Sequence, residues 1–227
     1  MTTSAGTEPT YTMFLLTTPF ALTLLGLFAN AQPMRRADMC TCDIQADFMN
    51  AGLVPDLLPC LNPSALMTVN FPGVGPISPG QNLSMQQVAT APAVTITPVN
   101  SGVATPGNYT LMMVDSFPFG KNDSNHQILH WLANSASLQN DSSACPALNV
   151  STSGGLVVTN YVSPAPPVGS GIHRYVIMLF PQPSSFSPPA NLSTANVGID
   201  LFFHFKDYVS SSNLGQPIAA MFFEVQG

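Results

Sequence analysis

Proline recurs 22 times in 227 residues, from Pro9 to Pro217, and it limits the fold more than any other feature. Inside a helix a proline removes a hydrogen bond and clashes with the preceding turn, whereas at strand ends, edges and turns it is tolerated. Between the prolines lie short runs rich in Val, Ile, Phe and Tyr, at 94–97, 109–114, 128–133, 156–162, 172–180, 199–203 and 218–225. Bounded by turn residues, such runs predict strands and a mainly β fold. One helix is expected, over 205–212, with Leu214-Gly215 as its stop. Segments 71–82 and 181–190 are rich in Pro and Ser and read as irregular surface connections. No repeat is visible.

Residues 13–28, MFLLTTPFALTLLGLF, form an apolar run followed by Ala29-Asn30-Ala31. The small-x-small pattern predicts signal-peptidase cleavage before Gln32, so 1–31 is read as a signal peptide. The run is shorter than the roughly 20 apolar residues of a spanning helix, and polar residues follow it closely. The segment before Met13 carries Glu8 and no basic residue, which departs from a signal peptide and fits initiation at Met13. Six Asn-x-Ser/Thr sequons, at Asn82, Asn108, Asn122, Asn140, Asn149 and Asn191, agree with export. Only 7% of residues are charged, against about 25% in an ordinary soluble protein, so glycans are expected to solvate the surface. Secretion is expected ahead of a vacuolar lumen. The end of the sequence, FEVQG, has no hydrophobic tail of the GPI type, and no transmembrane anchor is expected.

Net charge is −6 and the basic residues are scattered, which excludes a nucleic-acid footprint. The length of 32–227 suits one domain, read as an N-terminal segment (32–85) carrying Cys40, Cys42 and Cys60 followed by a β core (86–227). With Cys145 these cysteines predict disulfides in an oxidising compartment. Cys40 and Cys42, two apart, are expected to reach Cys60 and Cys145 separately, in either pairing. Cys-x-Cys lacks the paired spacing of a zinc ribbon, so no metal is expected.

The chemistry gathers on three strands. On a strand His173 and Tyr175 share a face and Arg174 takes the other. Asp115 ends another strand, and a third is expected to place His130 on one face and Trp131 on the other. The loop before His173 is stiffened by proline and glycine. Adjacent, these strands would make a polar cluster whose N–H and O–H groups could hold phosphate oxygens while the carboxylate orients a histidine. Ser163 or Ser170 near His173 could in principle complete a hydrolase triad, but no Gly-x-Ser-x-Gly elbow exists, so no enzyme is expected. His126 and His130 would share a face only on a helix, and His204 reads as helix-start or surface.

Residues 161–182, YVSPAPPVGSGIHRYVIMLFPQ, resemble the signature of the phosphatidylethanolamine-binding protein family: Tyr, Pro-Pro, Gly-x-Gly, His-Arg-Tyr and an apolar strand ending in Gln. Residues 109–132 resemble its block of a strand ending in acid followed by a histidine strand, and 214–225 its closing strand; 32–85 carry none of the resemblance. The resemblance implies a large central antiparallel β-sheet flanked by a smaller sheet and a few short helices, with an anion pocket at one end. It assigns Asp115, His130, His173 and Tyr175 to that pocket and Pro166 and Pro167 to its rim. Where the family has Asp-Pro-Asp-x-Pro, this chain reads Asp115-Ser116-Phe117-Pro118, an aromatic in place of the second acid.

The implied function is non-enzymatic binding of a small anionic ligand, such as a phosphate or phospholipid head group, without a cofactor. The alternative is inhibition of an extracellular or vacuolar serine protease of carboxypeptidase type through surface loops.

Overall fold

The short apolar runs between prolines pair into β-sheet in a computed structural model that describes residues 1–3, 6, 40–99, 103, 107–117, 126–140 and 146–227. Cys145, Asn122, Pro118 and the apolar run at 13–28 lie outside these residues. All elements fall within the compact unit Arg36–Gly227. The strands described are β1 (Ala65–Phe71), β2 (Gly75–Pro76), β3 (Gln81–Leu83), β4 (Ala93–Pro98), β5 (Tyr109–Asp115), β6 (Gln127–Asn140), β7 (Leu148–Ser151), β8 (Leu156–Thr159), β9 (Ile172–Pro181), β10 (Asp200–Phe203) and β11 (Ala219–Gln226). The helices are α1 (Thr41–Asn50), α2 (Leu53–Asp56) and α3 (Phe205–Ser211). The chain is mainly β, with a large, almost wholly antiparallel sheet and few short helices. Among the described residues no helix is long and apolar enough to cross a membrane.

The strand order is β2-β1-β4-β7-β6-β5-β9-β11-β3, with β8 and β10 also on β6. β6 joins two regions: its first part pairs with β5, and residues 137–140 pair with β7. The change of direction falls near Ser135, whose φ is 56°. Gly155 lies against this bend, where a Cβ would stand 2.5 Å from the Asn134 carbonyl oxygen, so only glycine fits there.

Both faces of the central strands are buried, which explains why β5 and β9 read as continuous apolar runs rather than alternating ones. One face packs Leu111, Met113, Ile177 and Phe223 against Met67 and Val69 of β1 and Ile96 of β4. The other packs Met112, Val114, Met178 and Phe222 against Ile44 and Phe48 of α1 and Phe205 and Tyr208 of α3. Ile44 and Phe48, four residues apart, share a helix face, and Phe48 meets Phe222 edge-on at 5.1 Å.

The N-terminal region departs from expectation. α1 and β1 were not foreseen, and β1 pairs along its length with β4 while β3 adds to the edge of β11. Residues 71–82, read as irregular, contribute β2 and β3. Cys40 and Cys42 are bonded to each other and not to two separate partners. Cys40 is the extended residue that precedes α1 and Cys42 lies in its first turn, so their Cα atoms come to 5.3 Å, inside the range a disulfide spans. Cys60 is an exposed free thiol.

Candidate functional site

At one end of the central strands β5 lies between β6 and β9, with Asp115 directly opposite Tyr175 in register. Asp115, His130, Pro166, Pro167, His173 and Tyr175 line one cavity of about 240 Å³, closed on its other sides by Ile128, Val162 and Leu201 among others. The four polar side chains come from strands whose neighbours are fully packed, and Asp115, His130, His173 and Tyr175 are themselves buried.

His130 reaches the cavity through a β-bulge. Met113 pairs with Trp131 but Val114 pairs with Leu129, leaving His130 as the extra residue. Leu129 packs on the helix side and Trp131 between the sheets, so alternation breaks at His130. Its ring then meets Tyr175 edge-on at 5.1 Å, on the same side as Trp131. The sequence expectation that His130 and Trp131 take opposite faces is corrected by this bulge, which re-aims a side chain as bulges do.

Backbone and side chain both tie His130 to the loop. Val162 donates its N–H to the His130 carbonyl at 2.8 Å, and His130 Nδ1 lies 2.9 Å from the Val162 carbonyl oxygen. A carbonyl only accepts, so Nδ1 carries the proton and Nε2 is the nitrogen left for a ligand. Burial holds the imidazole below the usual histidine range, against smaller opposing effects of the Val162 carbonyl and Asp115.

His173 has a different position. Its Nδ1 lies 2.6 Å from Asp115 Oδ2 and its Nε2 2.8 Å from Ser170 Oγ. Both nitrogens are engaged within the protein. Asp115 also accepts the N–H of Phe117 on Oδ1 at 2.8 Å, so the carboxylate fixes the strand-end turn as well as the ring. Tyr175 is pushed above the ordinary phenol range, first by burial and then by the Asp115 carboxylate, and stays a donor.

Ser170, His173 and Asp115 stand in the order of a hydrolase triad, yet the serine is badly placed for one. Ser170 does not line the cavity. Its Oγ also lies 2.6 Å from the Pro167 carbonyl, and a Cβ built on Gly227 would approach it to 2.3 Å, so the last residue packs over the hydroxyl. A nucleophile needs room for the reacting carbon beside it. Ser163 does line the cavity.

Three residues take roles that the sequence alone did not assign to them. Arg174, buried on the opposite face from His173, donates from Nε to the Phe117 carbonyl at 2.9 Å, from Nη2 to that of Ser116 at 3.0 Å and from Nη1 to that of Ala51 at 2.5 Å. It fastens the turn after β5 and the end of α1 to β9. An arginine inside an apolar strand was the available signal, since a buried guanidinium must find acceptors. The other two are His126 and Phe202. The Phe117 ring meets His126 at 5.8 Å, and His126 meets Phe202 at 5.2 Å, an aromatic wall beside the cavity. Phe117 adopts φ 58°, uncommon for a bulky residue, and its ring also faces His173 at 6.1 Å.

The family model described as phosphatidylethanolamine-binding protein matches residues 74–222. The chain belongs to the phosphatidylethanolamine-binding protein family. The match begins within 32–85, where the sequence alone showed no resemblance, and takes in β2 and β3. A 26 kDa secreted antigen of Toxocara canis is 31% identical over 79% of this chain, which spans 63% of that protein. Protein FLOWERING LOCUS T of Arabidopsis thaliana is 31% identical over 81% of this chain and 93% of its own. Among solved structures, the carboxypeptidase Y inhibitor in complex with its cognate proteinase superposes with a TM-score of 0.68 at 24% identity, over 85% of this chain and 98% of that one. The phosphatidylethanolamine-binding protein of Plasmodium vivax gives 0.59 at 13%, covering 79% and 95%. These two establish the fold.

Proposed function

We propose that the chain is an exported, glycosylated, non-enzymatic protein that holds a phosphate-bearing head group in the cavity between β5, β6 and β9. The observation that carries this is the unengaged Nε2 of buried His130 in a cavity that also presents the Tyr175 phenol. In a desolvated cavity one charge-assisted hydrogen bond from imidazolium to phosphate contributes about 1.5–3 kcal/mol. His173 is a positioning residue, held by Asp115 and Ser170, that keeps the cavity floor polar and Tyr175 in place. Export is supported by the cleavage pattern before Gln32 and by sequons at exposed Asn82, Asn108, Asn140 and Asn191; a secreted relative agrees.

Calorimetric titration with glycerophosphoethanolamine, a phosphodiester whose phosphate charge does not change near neutral pH, tests the reading. Wild type should bind one equivalent, and a folded His130→Gln variant should lose roughly ten- to a hundredfold in affinity. Equal binding by both proteins would reject it. Inhibition of a serine carboxypeptidase is the competing reading, favoured by the fold shared with the carboxypeptidase Y inhibitor. It would act through exposed loops, so inhibition retained in His130→Gln marks that activity as separate from the cavity.

A further inference from the structure

A second, larger cavity of about 510 Å³ lies at the other end of β9, where Phe180 forms its floor. Phe180 is seven positions from His173, roughly 23 Å along a strand, so the two cavities share no lining residue. The walls come from the chain leaving α2 (Leu57, Leu58), from Val209 of α3 and from Leu214 and Pro217 before β11. Its volume is that of a small-molecule site. No histidine, cysteine or acid lines it, so neither metal binding nor proton transfer suits it.

The polar groups on the lining are all donors or carry one. Lys206 and Ser210 stand four apart on α3 and so share the face that borders the cavity. Gln216 adds a side-chain amide. Charge is scarce in this protein. Among the described residues the only lysine or arginine besides Lys206 is Arg174, engaged with three carbonyls. Lys206 is exposed on the rim and is paired with no carboxylate among the described residues. An apolar hollow with one cation and two hydrogen-bonding groups on its edge is complementary to a molecule with an apolar body and an anionic end.

We propose that this cavity binds a single-chain fatty carboxylate, its alkyl chain against Leu58, Phe180 and Leu214 and its carboxylate at Lys206. The inference does not depend on the phosphate reading of the first cavity. The test is calorimetric titration of the full secreted chain with dodecanoate below its micellar concentration, with dodecanol as the uncharged comparator and saturating glycerophosphoethanolamine as a check on the first cavity. One equivalent of dodecanoate should bind, undisturbed by the phosphodiester and by His130→Gln. Leu214→Trp, or Val209→Trp should the first fail to fold by circular dichroism, should fill the hollow and abolish binding. Lys206→Gln should weaken dodecanoate about two- to fivefold and leave dodecanol unchanged, as an exposed ion pair would. Absence of saturable binding, displacement by glycerophosphoethanolamine, binding that survives a folded tryptophan variant, or equal effects of Lys206→Gln on both probes would overturn the proposal.

Discussion

His130 and His173 look alike in the sequence and differ in what their nitrogens do. His173 gives Nδ1 to Asp115 and Nε2 to Ser170, whereas His130 gives only Nδ1, to a carbonyl. The sign of the pH dependence follows from burial. Because the folded state holds His130 below its unfolded value, near 6.5, its contribution to stability is full above that pH. As pH falls the unfolded chain takes up a proton that the buried ring resists, and the contribution is lost through the lowered folded pKa. Urea denaturation at pH 7.5 and pH 5.5 should therefore show a larger acid-induced loss in wild type than in His130→Gln. A bound phosphodiester reverses the preference by stabilising the imidazolium, so glycerophosphoethanolamine should bind more tightly at pH 5.5 than at pH 7.5. Asp115, His173 and Tyr175 surround the same ring, and Asp115→Asn is expected to weaken binding through loss of His173 and Tyr175 placement.

Among the elements, β9 carries the structure's most demanding residue. Removing the Arg174 guanidinium leaves the buried Ser116 carbonyl and the half-buried Phe117 and Ala51 carbonyls without this donor, and an unsatisfied buried acceptor costs about 1–3 kcal/mol. Arg174→Met should lose about 1–3 kcal/mol in urea denaturation, with hydrogen-exchange protection falling first in α1. Gly155→Ala is expected to cost about 1–3 kcal/mol through its clash with the Asn134 carbonyl, measurable in the same way. The strands at 94–97, 109–114, 172–180 and 218–225 were legible because their apolar runs are continuous or alternate cleanly. β6 was read too short because NSASLQN, its second half, carries little apolar signal. The alternation of β1, with Ala65, Met67, Val69 and Phe71 buried, was present but unread. α1 offers only Ile44 and Phe48 as its buried face, too few for a helical period to stand out. The bulge at His130 had no sequence signal, since it depends on pairing between strands.

Across the whole molecule, a sheet buried on both faces leaves a surface with little charge, and sugars are the expected remedy. Asn82, Asn108, Asn140 and Asn191 are exposed, and Asn149 is half-buried. Secreted protein should start at Gln32 and lose mass on enzymatic deglycosylation, as intact mass spectrometry would show. The bonded Cys40–Cys42 pair leaves Cys60 to react, so iodoacetamide should alkylate it in the native protein without reductant. In the proposed complex His130 Nε2 meets the anion while His173 serves within the protein. Its most direct test is the imidazole ¹⁵N spectrum recorded during titration with glycerophosphoethanolamine across pH 5 to 8. The Nε2 resonance of His130 should shift on binding and its pKa should rise. A spectrum in which His130 is unmoved, while saturable binding proceeds, would show that the anion does not meet His130.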